Sequence, residues 1–195
     1  MLKLIAVAAL CAAAYGQDAK PVIDNERVTV WDVTWTKDAA YPGGRDRDAV
    51  VMWLTGPHAR TASFLAKGGE RPKPGASGAR SLVIELKDHV VPPLANKTGY
   101  PLAFPRPHVK KLLENNRVIV WSYRWNPGEP TPMHYHDKDV VVVYLEPTAL
   151  TSTTPDGKKT LNDYQAFDIR FNKGDRTHTE LLERGMGSAM MMELK

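Results

Sequence analysis

The sequence predicts an all-β protein, a sandwich or a barrel, built from two related units. Short apolar stretches rich in β-branched residues are separated by Gly, Pro and Asn along the chain, as expected for many short strands joined by turns. Several of these stretches also occur twice in the same order. An ordered internal repeat indicates that one unit has been duplicated.

Three pairs of segments carry the repeat. NERVTVWDVTW at 25–35 matches NNRVIVWSYRW at 115–125, an offset of 90. DRDAVVMWL at 46–54 matches DKDVVVVYL at 137–145 at an offset of 91, and IELK at 84–87 matches MELK at 192–195 at an offset of 108. The second copy therefore has one extra residue before its central strand, and 17 more, the difference between 108 and 91, after it.

Residues 1–16 are predicted to be a signal peptide. Lys3 precedes an apolar run over residues 4–14, and the small residues Ala14 and Gly16 follow, which favours cleavage after Gly16. The run is too short to span a bilayer, and no later segment reaches about 18 apolar residues. We expect an exported protein, periplasmic or secreted, with no membrane span. Its one cysteine, Cys11, lies within the signal, so the mature chain has no disulfide.

The mature chain is predicted to contain a first copy with a Pro-rich connector, 17–104, and a second copy, 105–195. Apolar alternation predicts strands at 28–36, 49–55, 81–86, 117–125, 140–145, 166–171 and 189–194. Residues 57–80 are predicted to be a long loop, and TTPDGKKT at 153–160 a hairpin. Val109, Leu112 and Leu113 have i, i+3, i+4 spacing, which predicts a short helix after the connector.

The candidate site is centred on the sequence MHYH. His134 and His136 project to one face of an extended segment, so both rings can reach one ion. His178, which follows a turn at Gly174, is the candidate third ligand. Three neutral imidazoles leave an ion with open positions for water or substrate.

The first copy lacks these ligands. At an offset of 91, Gly43 and Arg45 stand where the second copy has His134 and His136, and the segment that carries His178 has no counterpart. We therefore expect the first copy to be structural, a truncated partner sheet or barrel that shields an edge of the second copy.

These residues resemble the first motif of the cupin superfamily, which is Gly, five residues, HxH, three or four residues, Glu, six residues, Gly. Gly128, His134 and His136 match it, whereas Val140 and Pro147 stand at the Glu and second Gly positions. Gly174 and His178 match part of the second motif.

The resemblance implies an all-β, cupin-type double-stranded β-helix (jelly-roll) barrel, duplicated, with a degenerate first copy. It also implies a three-His site, as in the minority of cupins that bind iron or another divalent metal in this way. Asp139 and Glu180 remain candidates for a further ligand. The long connector resembles the arms that cross between subunits in cupin dimers, so a homodimer is expected.

The predicted function is an exported, metal-binding cupin, with Fe, Mn, Ni, Cu or Zn as its ion. A small-molecule oxidoreductase of dioxygenase type is the first enzymatic interpretation, and a metal-dependent isomerase or lyase is the second. The alternative is a non-catalytic module that binds a small ligand or a protein partner. Arg124 and Arg170 are candidates for holding an anionic substrate; Tyr144, Phe167 and Phe171 are candidates for the pocket wall.

Two other classes of function lack support in the sequence. The net charge is only +4 and is dispersed along the chain, which does not form a nucleic-acid footprint. The chain also has no GxSxG motif and no Gly-rich phosphate loop.

Overall fold

The structure, a computed structural model, describes residues 20–37, 39–72 and 78–195. Within these ranges the protein contains 14 strands and no α-helix. The predicted signal peptide lies outside the described residues. In the part of the chain that is described, no helix is long and apolar enough to cross a membrane.

The strands fall into the two copies that the repeat predicts. The first copy contributes β1 (Ile23–Asp24), β2 (Val28–Thr34), β3 (Ala49–Trp53), β4 (Thr61–Leu65) and β5 (Arg80–Leu86). The second contributes β6 (Val109–Glu114), β7 (Val118–Arg124), β8 (His134–His136), β9 (Val140–Tyr144), β10 (Thr148–Thr153), β11 (Lys159–Tyr164), β12 (Ile169–Asn172), β13 (Arg176–Gly185) and β14 (Ser188–Leu194). All seven predicted strands are present, with shifts of up to three residues at their ends.

Three antiparallel sheets form from these strands. The first copy forms one sheet in the order β1-β2-β5-β3-β4. The second copy forms a large sheet, β6-β7-β14-β9-β12, and a small sheet, β8-β13-β10-β11. The first-copy sheet and the large sheet have the same strand order, β1 matching β6 and β5 matching β14. Among the described residues nothing in the first copy corresponds to the small sheet, so the first copy is half of a barrel.

The main core lies between the first-copy sheet and the large sheet. Each copy contributes eight buried side chains, and every residue has its repeat equivalent in the other copy: Val28, Val30, Val50, Met52, Leu54, Leu82, Ile84 and Leu86 face Val118, Val120, Val141, Val143, Leu145, Met190, Met192 and Leu194. Each such side chain contributes about 1.5–3 kcal/mol on burial. The first copy thus covers a whole face of the second, and the expectation that it shields an edge is wrong.

Two local predictions are also wrong. The predicted short helix is strand β6, which pairs with β7 and has a bulge between Lys111 and Leu113. The bulge allows both Leu112 and Leu113 to pack against the main core, which produces the helix-like spacing. The predicted loop at 57–80 contains strand β4, which pairs with β3 along its full length.

The connector between the copies packs against the barrel of its own chain. Two backbone hydrogen bonds join the connector to β8. The Tyr135 N–H donates to the carbonyl oxygen of Pro101, and the Ala103 N–H donates to the carbonyl oxygen of Tyr135, each at 2.8 Å. The connector therefore extends the small sheet beyond β8. Phe104 then stacks on Trp121 with ring centroids 5.4 Å apart. The homodimer stays a prediction.

Candidate metal centre

Strands β8 and β13 place the three histidines side by side. In this antiparallel pair His134 lies opposite His178, and His136 lies opposite Arg176. Alternation along β8 turns both histidines towards the barrel interior. Tyr135 projects the other way, and its hydroxyl donates to Asp175 at 3.1 Å. The predicted shared face of His134 and His136 is thus present.

The three rings converge on one point. Their centroids are 4.8 Å apart for His134 and His178, 5.0 Å for His134 and His136, and 5.1 Å for His136 and His178. Together they form a group whose ligand atoms all lie within 4.8 Å of one another and could hold a metal ion. His136 Nε2 lies 3.3 Å from His178 Nε2. That spacing fits a metal, since two nitrogens on one tetrahedral ion at about 2.0–2.1 Å are about 3.4 Å apart.

Hydrogen bonds orient the ring of His134. Its Nδ1 lies 2.8 Å from the carbonyl oxygen of Pro132 and donates to it. Its Nε2 therefore carries the lone pair, and Arg106 Nη1 lies 2.8 Å from that nitrogen. A second ring nitrogen, His136 Nδ1, is buried and has no hydrogen-bond partner among the described residues. A carbonyl that fixes the tautomer of a histidine is typical of metal ligands.

Burial keeps all three histidines neutral. It lowers the pKa of His134 to about 3, with a further contribution from the charge of Arg106. Burial also lowers the pKa of His136 well below its usual value, helped by Arg176. Burial lowers the pKa of His178 as well, although Glu180 opposes the shift. Neutral imidazole is the form that binds a metal, so the rings are ready to bind near pH 7.

A cavity of about 30 Å³ adjoins the histidines. One part of its wall is apolar and is formed by Val140, Val142 and Met191. The other part is charged and is formed by Arg106, Arg176 and Glu180, beside His136 and His178. Any molecule that reaches an ion at the three histidines would therefore contact both kinds of wall.

The cavity wall differs from the predicted one. Tyr144 lines it, as expected. Phe167 and Phe171 instead pack against the core between the two copies. Arg124 and Arg170 are exposed on the surface and do not reach the site.

The two arginines of the cavity were not predicted. Arg176 could have been found from the sequence, because it lies two residues before His178 on the same face of a strand. Arg106 has no comparable signal, since it lies in the irregular connector.

Asp139 and Glu180, the two candidate carboxylates, have different surroundings. Asp139 is bound elsewhere, to Arg27 at 2.9 Å and to the Gly174 N–H at 2.8 Å. Glu180 adjoins the site: its Oε1 lies 4.0 Å from His178 Nε2, and its Oε2 accepts from Trp125 Nε1 at 3.0 Å. Burial works against the charged form, but the pKa of Glu180 is lowered by His178 when that ring is protonated and by the charge of Arg106. Neither carboxylate belongs to the three-histidine group.

The first copy has no room for a matching histidine. Gly43 has φ +76°, in the left-handed region, and a Cβ there would overlap the carboxylate of Glu85. That carboxylate is buried and accepts the Gly44 N–H at 2.8 Å. The position equivalent to His134 is therefore closed by a glutamate.

Comparisons with known proteins add to this geometry. No family model matches the chain, and no curated protein matches it. Among solved structures, the chain is similar to YlbA from E. coli, a cupin barrel, with a TM-score of 0.52 and 11% identity over 87% of this chain and 77% of that one. The chain has the cupin fold. At this identity the likeness concerns the fold alone.

Other solved cupins are similar over different shares of the chain. A cupin 2 conserved barrel domain protein from Leptotrichia buccalis has a TM-score of 0.48 and 12% identity over 90% of this chain and 88% of that one. A cupin domain from Bordetella pertussis has a TM-score of 0.42 and 23% identity, and covers 50% of this chain and 98% of its own.

Proposed function

We propose that His134, His136 and His178 bind one divalent metal ion and that this ion is the functional centre of the protein. The observation that carries the proposal is the 3.3 Å approach of Nε2 of buried His136 to Nε2 of half-buried His178. Burial keeps both rings neutral. Without a metal, one of these nitrogens must donate an N–H to the other, because two unprotonated nitrogens at this distance would repel each other. The third nitrogen, His134 Nε2, carries no proton because Nδ1 donates to Pro132. Its lone pair accepts a hydrogen bond from Arg106 Nη1 at 2.8 Å, which a bound ion would replace.

The reaction class that we propose is small-molecule oxidation of dioxygenase type. An ion held by three histidines keeps open positions and supplies Lewis-acid chemistry or, as iron or copper, redox chemistry. The protein's own contribution is the wall of the site. Val140, Val142 and Met191 exclude water from one side of the cavity. Arg106 and Arg176 supply positive charge on the other side.

A second candidate is metal-assisted isomerisation or lysis, and Glu180 is the observation that favours it. Its carboxylate lines the same cavity as His136 and His178. A carboxylate in this position can accept a proton from a substrate that the ion polarises. Oxygen consumption with iron-loaded protein separates the two classes, because isomerisation and lysis do not use oxygen.

Elemental analysis of mature protein, purified without chelators or a metal-affinity column, tests the metal centre. We expect about one equivalent of Fe, Mn, Ni, Cu or Zn in the wild type and none in His136→Ala. His89→Ala removes an exposed histidine and is the matched control that should keep its metal. A folded wild-type protein that rebinds none of these ions contradicts the proposal and favours a non-catalytic binding module.

We also propose that the protein is exported. The support is the basic start, apolar run and small residues at 1–16. N-terminal sequencing of the protein from periplasmic and medium fractions should begin at Gln17. Recovery of the chain only in the cell interior, with Met1 intact, contradicts export.

A further inference from the structure

Arg106 lies against His134, one of the three histidines. Its Nη1 is 2.8 Å from His134 Nε2 and 3.3 Å from His134 Nδ1. An ion that binds Nε2 would therefore meet the guanidinium charge at close range. Charges of like sign repel strongly where little water screens them, and the Arg106 side chain is only 5% exposed. The ion and this position of Arg106 exclude each other.

The guanidinium of Arg106 is incompletely bound in this position. Its Nε is buried and has no hydrogen-bond partner among the described residues. Its Nη2 lies 3.6 Å from Glu180 Oε2, which is longer than a hydrogen bond. Its Cζ lies over the rings of Tyr123 and Phe104, at 4.1 and 5.0 Å from their centroids. A buried cation with an unbound donor is costly, so an ion that takes His134 displaces a side chain that is not fully stabilised there.

A second cavity, the outer cavity, adjoins Arg106 and has a volume of about 240 Å³. Three of its wall residues touch or flank Arg106 and His134. Pro107 follows Arg106 in the chain, and the Tyr123 ring packs under the guanidinium. The carbonyl oxygen of Pro132, the third of these wall residues, accepts from His134 Nδ1 at 2.8 Å. Arg106 itself lines the cavity of about 30 Å³ at the histidines, so it lies between the two cavities.

The cavity at the histidines is too small for an organic substrate while Arg106 keeps this position. A volume of about 30 Å³ holds only two or three water-sized groups. Pockets that bind small organic molecules are about 300 Å³ or larger. Joined to the outer cavity, the space beside the histidines would come close to that size. Access of an organic molecule to the ion therefore requires Arg106 to move.

The outer cavity also offers a new partner for the guanidinium. Glu129 lines this cavity, and its side chain is 66% exposed. Pro107 lies on the same wall, so the backbone of Arg106 is already at the edge of the cavity. A charge-assisted hydrogen bond between Arg106 and Glu129 would replace the contact that is lost with Glu180.

We propose that Arg106 is a gate between the metal centre and the outer cavity, and that an ion binding at His134 opens it. The inference rests on the proposed function, because the ion displaces the guanidinium. In the closed position Arg106 contacts His134 and separates the cavities. In the open position its guanidinium lies in the outer cavity near Glu129, and the two cavities are continuous. The gate thereby admits a substrate only after the ion is in place.

Chemical labelling of Arg106 tests the opening of the gate. Phenylglyoxal modifies accessible arginines, and peptide mass spectrometry gives the rate at each position. In chelator-treated protein Arg106 should react slowly, because its side chain is buried. In zinc-loaded protein it should react at least about tenfold faster, as expected when a minor open state becomes the major one. Arg124, which is exposed, is the internal control and should react equally in both samples.

Labelling of His134 tests the closed gate in the absence of an ion. Diethyl pyrocarbonate modifies accessible, unprotonated imidazoles. In chelator-treated Arg106→Ala it should modify His134 at least about tenfold faster than in the wild type, because the route from the outer cavity is open. Exposed His89 should react equally in the two proteins. Arg106→Gln replaces the alanine variant if circular dichroism shows that one unfolded.

The outcomes separate the gate from the metal site. Full zinc uptake with unchanged reactivity of Arg106 overturns the gate and leaves the metal site standing. Equal modification of His134 in wild type and Arg106→Ala overturns the gate whether or not zinc binds. A wild-type protein that takes up no zinc contradicts the proposed function, and with it the opening by an ion.

Discussion

Arg27 of the first copy forms a 2.9 Å salt bridge with Asp139 of the second, and their repeat equivalents, Arg117 and Asp48, form the reciprocal bridge at 3.2 Å. The same two arginines also bind matching backbone carbonyls, Arg27 at Lys195 and Arg117 at Lys87. With the paired core residues, these contacts relate the copies by a pseudo-two-fold axis. An interface in which each surface contacts its own equivalent is the geometry of a symmetric dimer. The duplicated chain thus contains its own dimer-like interface.

This symmetry predicts that Arg27→Ala destabilises the protein. The Arg27 side chain is 4% exposed and that of Asp139 is 16% exposed, so the substitution leaves a carboxylate poorly solvated. We expect the free energy of unfolding to fall by about 3 kcal/mol. Urea denaturation followed by tryptophan fluorescence measures it.

Lys173→Ala is the matched control for that substitution. Lys173 also bridges the copies, through Glu26, but both side chains are more than half exposed. An exposed pair contributes little, so no measurable change is expected. Equal destabilisation by the two variants would show that burial of the Arg27 pair is not what stabilises the interface.

The repeat explains how much of the fold could be predicted. Apolar alternation located the seven central strands, because strands buried on one or both faces carry a local pattern. The rise in the repeat offset from 91 to 108 shows that the second copy has extra residues after its central strand. These extra residues explain why the second copy has additional strands and a small sheet, whereas the first copy has a single sheet. Strand β6 was mistaken for a helix, since a bulge shifts the phase of its alternation.

The candidate site was predictable only where its residues lie in strands. His134 and His136 share a face by alternation, and His178 follows a glycine turn into β13. Arg106 reaches the site because the connector pairs with β8, at Ala103 and Tyr135, and that contact links distant residues. The exposure of Arg170 could not be predicted either, because alternation along a strand does not show which of its two faces is buried.

Removal of the metal should lower the thermal stability of the protein. An ion that binds only the folded state, at a free concentration about 100 times its Kd, stabilises the folded state by about 2.7 kcal/mol. For this chain length that corresponds to about 5–10 °C in Tm. We expect a chelator to lower the Tm of the wild type and of His89→Ala by this amount. His136→Ala should melt at the same temperature with and without chelator. A chelator shift that persists in His136→Ala would place the ion elsewhere.

The metal-free protein should become less stable as the pH falls from 7 to 5. An unfolded histidine has a pKa near 6.5, whereas that of folded His134 is about 3. Between these values the unfolded state binds more protons, so the free energy of unfolding decreases as the pH decreases. For His134 alone the decrease is about 2 kcal/mol between pH 7 and pH 5.

Urea denaturation at several pH values, in the presence of chelator, measures this dependence. His134→Gln should make the curve less steep, because glutamine does not titrate, whereas His136 and His178 still contribute to the slope. His89→Gln, at an exposed position, should leave it unchanged. A wild-type curve that is flat over this range contradicts the buried, neutral state of the three rings.

Gly185→Ala should destabilise the end of β13, the strand that carries His178. Gly185 has φ +89° and pairs with Thr148, and a Cβ there would overlap the backbone carbonyl of Pro147. Gly157, in the β10–β11 turn, has φ +83° with no atom within 4 Å of an added Cβ. Both substitutions cost about 1 kcal/mol or more for the left-handed backbone. Only Gly185→Ala also creates the steric overlap with the Pro147 carbonyl, which should lower the free energy of unfolding by about 1–3 kcal/mol more.

The difference between these two variants isolates the steric contribution. In urea denaturation, Gly185→Ala should lose at least about 1 kcal/mol more than Gly157→Ala. Its metal content should fall as well, because a shift of β13 against β10 moves His178 relative to His134 and His136. Equal stability of the two variants would mean that the Pro147 carbonyl can move aside, and that the register of β13 is set by its pairing with β8 instead.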